Sequence, residues 1–152
     1  MDDGAIRIEE ISAKQTRPIR QAVLRPHQAE RELVYPGDDD AGSFHLGAMR
    51  GDAVLAILSM YHQAMDDTPS GWRIRGMASA PEVRGTGYGR KLVEVARDRA
   101  WEIERAPIWC NARASAFGFY EKLGFMIVGD LFEIEGIGTH AVMVLSAEAS
   151  RG

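Results

Sequence analysis

The sequence predicts an α/β (α+β) fold: a mixed sheet with helices on its faces. Three observations carry this. Short runs with a period of two, such as AIRIEEI and FHLGAMR, alternate with segments of helical period. Their order along the chain is strand, helix, two or three antiparallel strands, helix, strand, helix, strand, strand. That order fits neither the repeated units of a (β/α)8 barrel nor a paired βαβ dinucleotide-binding domain. Finally, no internal repeat, low-complexity block or linker interrupts the 152 residues, so one domain spanning 1–152 is expected, with its core over about 5–145.

The elements follow in turn. Ile6, Ile8 and Ile11 alternate in a strand over about 5–11. Ser12 followed by Gln15 is a capping box for a helix whose apolar stripe is Ile19, Ala22 and Val23. Pro18 either bends a helix begun at Ser12 or sits in the first turn of one begun at Thr16. From Pro26 to Gly42 two prolines, two glycines and the run Asp38, Asp39, Asp40 mark a long loop, which serves either as a pocket wall or as a solvated connection. FHLGAMR and AVLAILSMYHQ, separated by Arg50, Gly51 and Asp52, form a hairpin.

A strand over about 72–79 follows, with Gly76 as an irregular point inside it. From Gly87 to about Glu104, Tyr88, Leu92, Val95, Ala96, Ala100 and Ile103 keep a helical period, and Pro107 prevents continuation. APIWCN is a short strand, Ala112 to Leu123 a second helix closed by Gly124, and FMIVGDLFEI and THAVMVLS two strands joined across Gly136 to Gly138.

Composition narrows the function classes. Eighteen Lys and Arg against 22 Asp and Glu leave a net charge of −4, which disfavours a general nucleic-acid partner. One cysteine excludes an intrachain disulfide and a Cys-rich zinc centre, as in a reducing compartment. No run reaches the roughly 20 apolar residues of a membrane span, and no leader-like segment opens the sequence, so a cytoplasmic protein without a membrane partner is expected.

The sharpest chemical signal is PEVRGTGYGRKLV. Arg84, Gly85, Thr86, Gly87, Tyr88 and Gly89 lie between a strand and a helix, where glycines permit a tight path and the helix start adds unpaired N–H donors. Such a turn suits a pyrophosphate; the plainer alternative is that Gly85 and Gly87 only make the turn and Gly89 only allows close packing. The Lys-Ser/Thr ending of a nucleotide-triphosphate loop is missing, since Leu92 follows Lys91.

Together with NARASAFGFYEKLGF, the segment MASAPEVRGTGYGRKLV resembles the GNAT superfamily of acyl-CoA-dependent N-acetyltransferases. Arg84, Gly87 and Gly89 match the spacing of its cofactor motif, and Asn111, Tyr120, Gly124 and Phe125 match its second motif. The resemblance implies a mostly antiparallel sheet with a central, splayed parallel pair, here the strands 72–79 and 107–111. It also implies acetyl-CoA as acyl donor and a primary amine as acceptor, attacking the thioester directly in a ternary complex. Backbone groups of Met77, Ala78 and Ser79 would meet the acyl carbonyl and pantetheine, with the backbone of Ala78 counted among the catalytic groups. Tyr120 would protonate the departing thiolate, because a phenol with a pKa of about 10 stays protonated at neutral pH. The plain alternative is an aromatic packed beside Phe117.

Asn111 is either a contact to the pantetheine arm or the N-cap of the following helix. Ser115 would lie near the cofactor's phosphate or ribose. Cys110 reads as a small buried hydrophobe, without an adjacent His or Asp to make it a nucleophile.

The base that takes the amine's proton stays open. The strand WRIRGMASA carries Arg73 and Arg75 where many family members carry a carboxylate. Glu133, Glu135, His140 and His45 are candidates, as is a water chain. No His spacing suggests a metal, so none is expected. The acceptor is read as a small amine, and Arg20, Arg25, Arg73 and Arg75 are candidates for reading a carboxylate on it. A protein N-terminus or lysine, or a non-catalytic acyl-CoA-binding domain, are the alternatives, and the resemblance admits a homodimer.

Overall fold

A computed structural model describes residues 5–148. It contains strands β1 (Arg7–Ile11), β2 (Phe44–Arg50), β3 (Ala53–Tyr61), β4 (Trp72–Ser79), β5 (Ile108–Arg113), β6 (Met126–Ile134) and β7 (Gly138–Leu145), with helices α1 (Ala13–Ile19), α2 (Tyr88–Ile103) and α3 (Phe117–Lys122). The strands hydrogen-bond in the order β1-β2-β3-β4-β5-β7-β6. Within the described residues the chain divides into two compact units, one comprising residues up to Tyr61 with Ile74–Arg99, the other His62–Arg73 with Ala100 onward.

In the first unit, β1, β2 and β3 form an antiparallel meander. Arg50 faces Ala53, so the β2–β3 turn is the two residues Gly51 and Asp52. Gly51 takes φ +58° while Asp52, like every described non-glycine residue, has negative φ, the signature of a type II′ hairpin. The expected capping box is present: Ser12 Oγ accepts from Gln15 N, and Gln15 Oε1 accepts from Ser12 N at 2.8 Å. Pro18 lies inside α1, and the chain passes directly into a π-helical turn over Arg20–Leu24. Of the two readings of Pro18, the structure takes the helix that starts after Ser12. The core here joins Ile11, Met49, Ile57 and Ala78, covered by Ile19, Val23, Leu24 and Val54. Fully burying a side chain such as Ile57 is worth about 1.5–3 kcal/mol.

The second unit holds the parallel contact between β4 and β5, in register at Trp72–Ile108 and Arg73–Trp109. A parallel neighbour needs a crossover, and α2 between the two strands supplies it. The Trp72 ring is buried and its Nε1 donates to Glu104 O at 2.9 Å. β7 pairs antiparallel with both β5 and β6.

Two local expectations are corrected. The helix anticipated from Ala112 begins later: β5 continues through Arg113, a 3-10 turn covers Ala114–Ala116, and α3 starts at Phe117. The reason is pairing, since Asn111, Ala112 and Arg113 stand opposite Val142, Ala141 and His140 of β7. Asn111 is therefore a strand residue and not an N-cap. On α2 the buried stripe is Leu92, Val93, Ala96, Ala100 and Trp101, whereas Val95 and Ile103 face outward. No described helix is long and apolar enough to cross a membrane.

Candidate active site

Within the first unit lies the turn between β4 and α2. Pro81 starts a 3-10 turn to Val83, and Thr86 Oγ1 and N both bond back to Val83 O. Gly85 at φ +76° and Gly87 at φ +90° are left-handed positions, and a Cβ built on either meets nothing within 4 Å. Both glycines are thus required by conformation and leave the outer side of the turn open. Lys91 N donates to Gly87 O at 3.1 Å, which makes Gly87 the N-cap of α2. A glycine cap has no side-chain acceptor for the donors of the helix's first turn, among them Gly89 N–H. Arg84 is exposed and its Nε donates to Ser79 O at 3.2 Å, which ties the turn to the end of β4. Open space, uncapped N–H groups and a guanidinium are a donor set that fits a pyrophosphate.

β4 itself is irregular where the acyl segment was expected. Gly76, at φ +62°, breaks the pleat just before Met77, Ala78 and Ser79. The Ala78 side chain enters the core while Met77 and Ser79 are half-buried. Beside this segment lies a buried polar cluster. Arg20 has no exposed surface, and its Nη1 and Nη2 donate to the two carboxylate oxygens of Asp38 at 2.7 and 2.9 Å. Nη1 also donates to Leu33 O and Nη2 to Ser59 Oγ. Tyr61 Oη donates to Asp38 at 2.6 Å and Tyr35 N at 2.9 Å. Burial alone would raise the Asp38 pKa, but the bonds from Arg20, Tyr61 and Tyr35 hold it down at about 2. Burial and the bond to Asp38 push the Tyr61 phenol well above its ordinary range.

His45 belongs to this cluster. Its Nε2 lies 2.9 Å from Asp38 O, a group that can only accept, so Nε2 donates; Nδ1, 2.7 Å from Ser59 Oγ, then accepts in the neutral ring. Both nitrogens are thereby engaged.

Tyr120 lies within the second unit. It stands near the C-terminus of α3, where Phe125 N donates to Tyr120 O and Gly124 N to Glu121 O, a Schellman closure with Gly124 at φ +96°. The rings of Tyr120 and Phe125 meet at 5.2 Å, the apolar contact such a motif uses. Tyr120 is buried, and its side chain hydrogen-bonds that of Cys110. Burial first, then Cys110, raises the phenol well above its ordinary pKa. The Cys110 thiol is itself pushed up to about 12 by burial.

The other candidates lie as follows. Asn111 is exposed on β5 and Ser115 exposed in the 3-10 turn before α3. Glu133 is an exposed residue of β6 that accepts from Thr139 Oγ1 at 2.7 Å, and Glu135 is exposed in the β6–β7 turn. His140 is buried, stacked on Phe132, with Nδ1 donating to Gly138 O at 2.8 Å. In the neutral ring that bond leaves the basic lone pair on Nε2.

Sequence reasoning did not single out Asp38, Ser59 or Tyr61, nor Cys110 as the partner of Tyr120. The sequence carried part of the signal, since Ser59 and Tyr61 share one face of β3, but the two-residue turn would set His45 opposite Leu58, and it is the bulge at Ala48/Met49 that brings His45 opposite Ser59.

Residues 41–127 match the model of the acetyltransferase (GNAT) domain. The chain is 36% identical over 148 residues to the uncharacterized N-acetyltransferase YitI of Bacillus subtilis (strain 168), covering 96% of this chain and 99% of that one. Among solved structures it resembles Escherichia coli ElaA, with TM-score 0.76, 19% identity, and coverage of 92% and 99% of the two chains. It also resembles an aminoglycoside 6'-N-acetyltransferase complexed with coenzyme A, with TM-score 0.73, 15% identity and coverage of 95% and 98%. The chain belongs to the GNAT family of acetyltransferases, N-acetyltransferases that take the acyl group from acetyl-CoA.

Proposed function

We propose that this enzyme acetylates the primary amine of a small metabolite by direct transfer in a ternary complex. The observation that carries the reading is the pair Tyr120 and Cys110. The phenol is protonated at neutral pH and so has a proton available for a departing thiolate. Cys110, the only cysteine of the chain, stays a thiol at neutral pH and so is a poor nucleophile for an acyl-enzyme.

The other roles follow from the same chemistry. The turn from Arg84 to Gly89 binds the pyrophosphate through backbone N–H groups, and the backbone of Ala78, between Met77 and Ser79, orients the acyl carbonyl. Asn111 and Ser115 are surface positions for the pantetheine and ribose side. For the base, His140 is favoured over His45, whose nitrogens are both engaged in the buried cluster, and over the exposed Glu133 and Glu135. A small acceptor is supported by the loop containing Asp38, which a buried ion pair ties to the turn after α1.

The test is mass spectrometry of an amine and peptide panel incubated with isotope-labelled acetyl-CoA. Repeated turnover on small primary amines is expected. Turnover confined to peptides would replace the acceptor class, and acetyl-CoA binding without any turnover would make the protein a binding domain.

A further inference from the structure

The cluster beside β4 contains two guanidinium groups in different electrostatic states. Both pack against the Tyr35 ring, with Arg20 Cζ 3.9 Å and Arg75 Cζ 4.7 Å from its centroid. Arg20 is fully buried and neutralised by the bidentate bond to Asp38. Arg75 is half-buried on β4, and among the described residues the Tyr35 ring is its one partner: no carboxylate meets it. A partly desolvated guanidinium with no anion is an uncompensated charge whose planar fork matches a carboxylate.

Tyr35 cannot easily move to release it. Its N–H donates to Asp38 Oδ2 at 2.9 Å, its carbonyl accepts from Asp38 N at 3.0 Å, and a Cβ on Gly76 would come within 3.1 Å of Cε2. The ring therefore acts as a fixed platform, held by a buried ion pair, against which the Arg75 side chain is laid. Arg75 precedes Met77 by two residues and Ala78 by three. At about 3.3 Å per strand residue, its Cα lies roughly 7–10 Å along the chain from the segment assigned to the acyl carbonyl. That span fits an acceptor whose amine and anionic group are a few bonds apart. Of the other arginines once considered for this role, Arg20 is spent on Asp38, Arg25 Nη1 donates to Leu24 O, and Arg73 lies over Trp109.

We propose that Arg75, braced by Tyr35, reads a carboxylate on the amine acceptor, so that the substrate class is amines bearing a carboxylate. This rests on the amine-transfer reading above. Matched pairs test it: an amino acid against the amine lacking its carboxylate, and against its primary amide. The wild type should prefer the carboxylated member. Arg75→Gln should lower kcat/KM for that member about 10- to 100-fold, the range for a lost hydrogen-bonded charge, with a far smaller loss for its partners. Arg75→Lys, which keeps the charge and loses the fork, should recover part of the preference. Thermal stability measured alongside separates this from a packing role, which would lower all acceptors together. Equal losses for both members, or no wild-type preference among amines that are acetylated, would overturn this inference alone. No acetylation of any amine by protein that binds acetyl-CoA would overturn the transfer reading and this inference with it.

Discussion

Replacing Asp38 with asparagine removes the carboxylate bonded to Arg20, a guanidinium that has no exposed surface. The carboxylate now accepts from Arg20 at 2.7 and 2.9 Å, from Tyr61 Oη at 2.6 Å and from Tyr35 N at 2.9 Å. Its pKa of about 2 against an ordinary 3.8 corresponds to about 2 kcal/mol in favour of the ionised form. Leaving Arg20 buried without its counter-ion costs more, about 3–5 kcal/mol for a broken buried pair. Asp38→Asn should therefore lower stability by that amount at pH 7, seen as a lower urea midpoint at unchanged slope. Because the folded pKa lies below the unfolded one, the carboxylate's contribution is complete above about pH 4 and is lost as pH falls toward 2. The gap between wild type and variant should narrow over the same window. Replacing both partners, Arg20→Met with Asp38→Leu, should cost less than the two single changes added together. A loss below about 1 kcal/mol at pH 7, or a gap that does not narrow in acid, would refute the argument that this pair holds charge against burial.

Two further outcomes bear on the catalytic reading. Tyr120→Phe should fold and bind acetyl-CoA but slow the acyl-transfer step by about 100-fold in single-turnover quench-flow, and a near-normal step from pH 6 to 9 would remove Tyr120 as the acid. Gly87→Val should weaken acetyl-CoA binding in calorimetry by about 10-fold or more while the protein still folds, since its Cβ would meet no folded neighbour but its φ of +90° is strained for valine; unchanged affinity would displace the phosphate turn.

The elements with strong local rules were legible. Ser12 with Gln15, the stretch Arg50 to Asp52, which the structure narrows to Gly51 and Asp52, and Gly124 after α3 each declared a cap or turn through backbone chemistry that needs only neighbours in sequence. The strand β4 was placed at its observed bounds, including the break at Gly76. The start of α3 was misplaced because Ala112 and Arg113 have ordinary helix propensity and are held extended by Ala141 and His140, about 30 residues away. The same holds for the site. The turn proposed for the pyrophosphate and the proposed acid Tyr120 lie in contiguous motifs, whereas Asp38 stands in an acidic run whose other members, Asp39 and Asp40, are exposed. Only the approach of Arg20, 18 residues earlier, and Tyr61, 23 later, distinguishes it from them. Tyr120 could be assigned a proton from its residue type, but its sulfur partner is apparent only when β5 and α3 are folded.

The order in which β5, β6 and β7 are synthesised differs from the order in which they lie. β5 and β6 leave the ribosome first, yet each takes its antiparallel partner from β7, which lies between them. Until residues 138–145 are available, neither earlier strand has that ladder, and the edge bearing Met126, Val128 and Leu131 has nothing to register against. Assembly of this part of the sheet therefore waits for its latest strand. Once inserted, β7 is hydrogen-bonded along both sides, so its amides should be among the slowest of the three strands to exchange with deuterium. Those of Gly129 to Leu131, where the β6 register shifts, should be among the fastest.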